Sequence, residues 1–247
     1  MPIRRNPTAV PSEKLAFIRA LGRRGQSPPV LTSIVWPSRH TSVMEKRQDN
    51  MIGIQIAGYT FGTDEAAKSP ITDQEFELLK ETVTFTDGDV RYLRMAGEVL
   101  EDQIDDLLDV WFDFMSSRPH LAHYFSGPDE EMDLNYVSAV RLRYGQWIRD
   151  TCAANYDRAW LDYQEEIALR HTRFKKNQTD NALSPVEHIP LRYLLAFIYP
   201  TTAMVKPLLA NKGHSAEDVE RMYEAWSKSI ILQVTLWSRP YTRPGDF

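Results

Sequence analysis

Between Thr86 and Pro119 the apolar residues fall at steps of three and four: Val90, Leu93, Val99, Leu100, Ile104, Leu107, Leu108, Trp111, Phe112 and Met115. Nothing there alternates with period two, so the stretch can bury one face only as helix. Pro119 ends it, because proline lacks the N–H and clashes with the preceding turn. The length predicts two helices meeting end to end. Upstream, Thr72 and Glu75 form a capping box ahead of Phe76, Leu78 and Leu79, for a short helix ending near Val83, and Thr86 or Asp89 caps the long stretch. Downstream come a short aromatic turn of helix, His120 to Phe125, a polar loop from Ser126 to Asp133, and a helix turning Val137, Val140, Tyr144, Trp147 and Ile148 inward. The next helix carries Tyr156, Trp160, Tyr163, Ile167, His171 and Phe174 on one face, and Arg170, Arg173, Lys175 and Lys176 suit its negative end. Asn177 to Pro190 reads as a loop. Pro190 opens a helix through Phe197 that Pro200 and Pro207 should kink, and Ser215 with Asp218 caps the last helix. That helix is apolar nearly all round at Ile230, Ile231, Leu232, Val234, Leu236 and Trp237, which suits deep burial or a shared subunit face. The fold class is all-α.

Of six histidines, His171 alone extends an apolar helical stripe. With no second histidine or cysteine at ligand spacing, its ring nitrogen needs a backbone carbonyl, a buried carboxylate or a cofactor metal as partner. By spacing alone the commonest case is a hydrogen-bonded core histidine. His120 and His123 have i,i+3 spacing without a third ligand; His188 and His214 read as loop residues and His40 lies in the tail.

At 247 residues and 43% hydrophobic content the chain can build a sizeable core. The single cysteine, Cys152, excludes an intramolecular disulfide, a cysteine zinc site and a C-x-x-C-H haem attachment, and fits a reducing cytoplasm. The longest apolar stretch, Tyr193 to Val205, is interrupted by Pro200, Thr201 and Thr202, so no transmembrane helix and no membrane partner are expected. Residues 1–50 hold nine Lys/Arg, three Asp/Glu and six of the fifteen prolines, with one helical candidate, Ser12 to Leu21. They read as a basic, Pro-rich tail, disordered or a start-site artefact with Met44 or Met51 as the true start, ahead of a folded domain at 51–247. Against a net charge of −5 overall, the body is acidic and repels phosphates, so nucleic acid is not an expected partner.

Helices without strands, one interior histidine and an aromatic cluster suit a flat apolar cofactor, of which haem is the natural candidate. Ala96-Gly-Glu-Val-Leu-Glu-Asp-Gln103, Ala159-Trp-Leu-Asp-Tyr-Gln164, Leu169-Arg-His171, Lys175-Lys-Asn-Gln-Thr-Asp-Asn181, Ala196-Phe-Ile-Tyr-Pro200 and Leu232-Gln-Val carry a further reading. From about Gly58 to Phe247 the chain resembles the protoglobins, single-domain relatives of globin-coupled sensors. The resemblance implies a globin fold with an additional N-terminal helix, and non-covalent haem b with His171 as the proximal iron ligand. The second ring nitrogen should then donate to a carbonyl or carboxylate.

On the distal side the family usually carries Trp followed by Tyr on one helix and Phe on the facing helix. The matching positions here read Trp111, Phe112 and Tyr144. The phenol has changed helices, and the expectation is that Tyr144 donates to bound dioxygen; the bland reading is a core tyrosine bonded to a backbone carbonyl, with Trp111 governing access by bulk. Phe197 matches a pocket aromatic, and Arg143 is placed to reach a haem propionate. The implied function is reversible binding of dioxygen, carbon monoxide or nitric oxide, for sensing, binding or transport. Its rivals are a nitric oxide dioxygenase served by a separate reductase, since no flavin or nicotinamide motif is present, and a helical scaffold without haem. Because no output domain follows, a signal is expected to pass to a separate partner, and a homodimer through the last helices is also expected.

Overall fold

The computed structural model describes residues 56–247 apart from Leu183 and Pro244; the tail expected at 1–50, with its helix candidate, lies outside the described residues. Eight α-helices form among them: α1 Asp73–Thr82, α2 Asp87–Leu100, α3 Ile104–Ser116, α4 Pro119–Ala122, α5 Leu134–Ala153, α6 Arg158–Arg170, α7 Leu191–Leu209 and α8 Ala216–Ser238. Strand pairing is limited to one isolated bridge, Ser126 with Met132.

The expected caps are in place. Thr72 Oγ1 accepts from Glu75 N at 3.2 Å, and Glu75 Oε2 accepts from Thr72 N at 2.7 Å. At α2 Thr86 is the cap and Asp89 its reciprocal partner, accepting from Thr86 N at 2.7 Å. Ser215 Oγ accepts from Asp218 N at 3.0 Å to start α8. The long apolar stretch divides as expected, at a 3-10 turn over Glu101–Gln103. Gln103 is buried at the joint, and its amide donates to Val99 O and Leu208 O at 2.7 and 3.3 Å.

One expectation needs correction. The stripe drawn through Tyr156, His171 and Phe174 overran its helix at both ends: Asp157 caps α6, His171 is the residue that leaves it, and Phe174 is 64% exposed. Helix α7 contains both Pro200 and Pro207 and runs on to Leu209.

Helix α8 is the spine, packing on α2, α6 and α7, while α2 crosses α5 and α3 lies on α5 and α7. Its inward face, with Met222, Ala225, Trp226, Ile230, Leu232 and Leu236, is buried in the core. The α2/α5 crossing is close enough that a Cβ on Gly97 would stand 2.9 Å from Cys152 Cβ, so only glycine fits without moving a helix. One fully buried polar side chain, Gln233, lies in this core with its bonds satisfied. It accepts from Trp147 Nε1 at 2.6 Å and donates to Thr151 Oγ1 and Ser229 Oγ at 3.2 and 3.1 Å. The span Leu191–Lys212 is long and apolar enough to cross a membrane by composition, but Leu194, Met204, Val205, Leu208 and Leu209 are buried in this core.

Helix α6 is held from outside by residues 56–71, which lie along it as a strap. Glu166 accepts from Ala67 N and Asp162 from Ser69 N, both at 3.0 Å, and Arg158 donates to Ile71 O and Ser69 O, both at 2.7 Å. Tyr59 and Phe61 pack edge-on against Tyr163 at 5.3 and 5.4 Å. Thus the helix that delivers His171 is fastened by its polar side chains as well as by its apolar face.

Candidate functional site

His171 is the residue at which α6 ends. Its N–H still bonds back to Ala168 O at 3.1 Å, so the backbone places the ring beside the last turn of the helix. Nδ1 lies 2.8 Å from Ile167 O. A carbonyl can only accept, so Nδ1 carries the proton and Nε2 presents its lone pair; Nε2 takes no hydrogen bond among the described residues. Burial presses the imidazole pKa down to about 4, with the Lys176 and Arg170 charges acting the same way and the Ile167 bond opposing them. The ring is therefore neutral at physiological pH. It stacks on Trp237, centroids 5.7 Å apart and planes 21° apart. A neutral imidazole with one nitrogen tied to a carbonyl and the other open has the chemistry of a metal ligand.

From Trp237 a file of aromatic rings runs into the bundle. Trp237 meets Trp147 at 6.0 Å, Trp147 stacks on Tyr144 at 5.0 Å, and Tyr144 packs on Trp111 at 4.7 Å. Trp111 gathers Phe112, Phe197 and Phe125 at 4.9, 6.1 and 6.4 Å. The structure thus joins Trp111, Phe112, Tyr144 and Phe197, from three helices, in one cluster reached from His171 through two tryptophans. Two polar groups in it matter chemically. Trp111 Nε1 is buried and has no hydrogen-bond partner among the described residues, a cost ordinarily avoided unless something outside the chain accepts that proton. The Tyr144 hydroxyl lies beside the Thr201 side chain, and burial holds its pKa well above the usual phenol range, so it stays protonated. Phe112 is almost wholly buried and packs on Phe125 at 6.3 Å.

A family model described as Protoglobin matches residues 72–246. The chain belongs to the protoglobin family. With membership comes a haem-globin, gas-binding role at the family level. A comparison with curated proteins finds no match. Among solved structures, the globin domain of the Geobacter sulfurreducens globin-coupled sensor superposes with a TM-score of 0.55 at 18% identity, over 70% of this chain and 99% of that one. That likeness establishes the globin fold.

Arg143 in this protoglobin is paired with a carboxylate. Its guanidinium forms a two-pronged pair with Asp180, at 2.8 and 2.6 Å, and donates to Ala57 O at 2.9 Å. Gly58, at φ +70°, lets the strap approach that closely, since a Cβ there would stand 2.9 Å from Arg143 Nη1. These bonds tie Arg143 to the strap and to Asp180. His120 and His123 are exposed, and no group of three His, Cys, Asp or Glu forms a metal site among the described residues. Sequence reasoning missed Trp237, Thr201 and Tyr241 as neighbours of the site. Only the spacing of Trp237 on α8 signalled an inward ring; what it would meet lay about seventy positions earlier in the chain.

Proposed function

We propose that this protoglobin holds haem b non-covalently through His171 Nε2 and binds dioxygen, carbon monoxide or nitric oxide reversibly on the opposite face. The observation that carries the reading is the Nδ1 contact with Ile167 O, which fixes the tautomer and leaves a neutral lone pair at Nε2. The residues present fit an iron porphyrin. They offer one nitrogen donor, a cluster of apolar rings, and a buried indole N–H with nothing to bond to. When bound, the porphyrin iron would supply the centre at which a diatomic gas is held. The chain's part is to orient the proximal ring, to keep bulk water out with Trp111, Phe197 and Tyr144, and to offer protons from Trp111 Nε1 and Tyr144 Oη. Covalent attachment is not part of the reading, because the sole thiol, Cys152, is buried under Gly97. We also infer that two copies associate through α8, where Ile231 stands 39% exposed between the buried Ile230 and Leu232.

The test is a visible spectrum of the purified protein, with haem added if needed. A Soret band is expected in the wild type. His171→Gly should lose the five-coordinate histidine spectrum and regain it with added imidazole. A His171→Gly protein with the wild-type spectrum and no imidazole would overturn the assignment. Nitric oxide consumption under added reductant, compared with simple ligand equilibrium, separates binding from turnover.

A further inference from the structure

Beyond Trp237 the chain turns through Arg239–Tyr241, and Trp237 with this turn touches α6 and the residue that ends it at three places. Trp237 stacks on the His171 ring and donates from Nε1 to Gln164 Oε1 at 2.9 Å. Arg239 forms a two-pronged pair with Glu165, one arm at 2.7 Å, and Glu165 is itself buried. The Tyr241 hydroxyl lies 2.7 Å from Ile189 O and 3.2 Å from His171 O, and Ile189 N donates to the same His171 carbonyl at 2.9 Å. The His171 carbonyl therefore accepts from Ile189 N, and the single proton of the Tyr241 hydroxyl is shared between the Ile189 and His171 carbonyls, nearer the former, so that the phenol bridges the two. Neither contact is needed to end a helix: a C-terminal carbonyl on this surface can be satisfied by water. Three alternate residues, 237, 239 and 241, thus reach Gln164, Glu165 and His171 along α6 and its end, with Trp237 also facing the His171 ring.

We propose that Tyr241 is a positioning residue for His171, and that the 237–241 turn couples the state of the gas site to the segment that follows α8. The inference rests on the reading of His171 as iron ligand. Its physical content is linkage: if gas binding shifts the imidazole and so changes how well the turn holds, then loosening the turn changes gas affinity by the same factor. The turn has two ways to sense the ring. The Trp237 face follows its tilt, and the Tyr241 hydroxyl follows its backbone. Burial keeps the phenol protonated, its pKa well above the ordinary range, so the hydroxyl remains a donor under all working conditions.

Tyr241→Phe in the full haem-loaded chain removes one hydroxyl and keeps the ring. Three readouts apply: the iron–histidine stretching band of the ferrous gas-free form, carbon monoxide affinity, and amide hydrogen exchange after residue 238 with and without carbon monoxide. The expected result is a displaced band, an affinity changed by about five-fold or more, and an exchange difference present in the wild type and lost in the variant. Exchange at the Ile189 amide should also quicken in haem-free Tyr241→Phe, a readout that needs no cofactor. An unmoved band with affinity within two-fold of wild type overturns the positioning role, and wild-type exchange after residue 238 that ignores carbon monoxide overturns the coupling. If Tyr241→Phe does not fold, Trp237→Phe and Arg239→Gln are read the same way, and an unmoved band and affinity in both overturns the proposal. His171→Gly separates the two levels. A band that persists there removes the ligand assignment itself, whereas a band lost there but unmoved in Tyr241→Phe removes only the positioning role.

Discussion

At the scale of single residues, two donors compete for the distal role. Tyr144 was the expected one, and the structure sets the Thr201 side chain beside its hydroxyl, while the buried Trp111 Nε1 has no partner among the described residues. A hydrogen bond to a ligand bearing partial charge contributes about 1.5–3 kcal/mol, so its loss should speed dioxygen release roughly 10- to 100-fold. Stopped-flow release rates of Trp111→Phe and Tyr144→Phe assign the role: the variant with the larger rise identifies the donor, and two unchanged rates remove both. Lys176 is the other residue whose position changes its chemistry. Read from sequence as a charge suited to the negative end of a helix, it is 3% exposed, donating to Tyr124 O at 3.1 Å and Asn177 Oδ1 at 3.2 Å. Burial pulls its pKa down to about 8, with Asp180 opposing. Its ordinary value is about 10.4, so between about pH 8 and 10 the unfolded chain holds a proton that the folded chain has released. Wild-type stability should therefore rise relative to Lys176→Met across that window and keep a constant difference below it. Urea unfolding of both proteins at pH 7, 8.5 and 10 measures this; a difference that does not change with pH would count against the burial of the charge.

At the scale of elements, caps were the most legible features and ends the least. Thr72 with Glu75, Thr86 with Asp89, and Ser215 with Asp218 act within four residues of chain, so a local pattern is sufficient to find them. The end of α6 was misread because the apolar stripe continues past Arg170 while the helical bonds do not. Where the helix ends, the His171 carbonyl accepts from Ile189 N at 2.9 Å and lies 3.2 Å from the Tyr241 hydroxyl, contacts that no local pattern encodes. The start of α6 is capped by Asp157, which accepts from Trp160 N at 2.8 Å. Asp157→Ala should cost about 0.5–2 kcal/mol of unfolding free energy. Because α6 delivers His171, the proposed iron ligand, haem-loaded protein should also lose haem to an acceptor globin faster. Stability and haem loss at wild-type values would show that the strap alone fixes this helix.

At the scale of the whole molecule, α8 is the element on which the others converge, and its exposed Ile231 lies on the surface proposed for self-association. Ile231→Glu should convert a dimer to a monomer on gel filtration while leaving the melting temperature of the monomeric unit nearly unchanged; a wild type that elutes as monomer at all concentrations removes this inference. The all-α class, the order of helices, the division of the long stretch and the inward placement of the His171 ring were all determined by the sequence. Each rests on periodicity, on capping within one turn, or on runs of residues shared with a family. The tautomer of His171, the Trp147 and Trp237 bridge to the distal cluster, the capture of Arg143 by Asp180 and the grip of Tyr241 on the proximal residue were decided only by the tertiary structure. Those contacts join residues tens of positions apart, and which of several partners a polar group takes depends on which one the packed helices bring within hydrogen-bond reach.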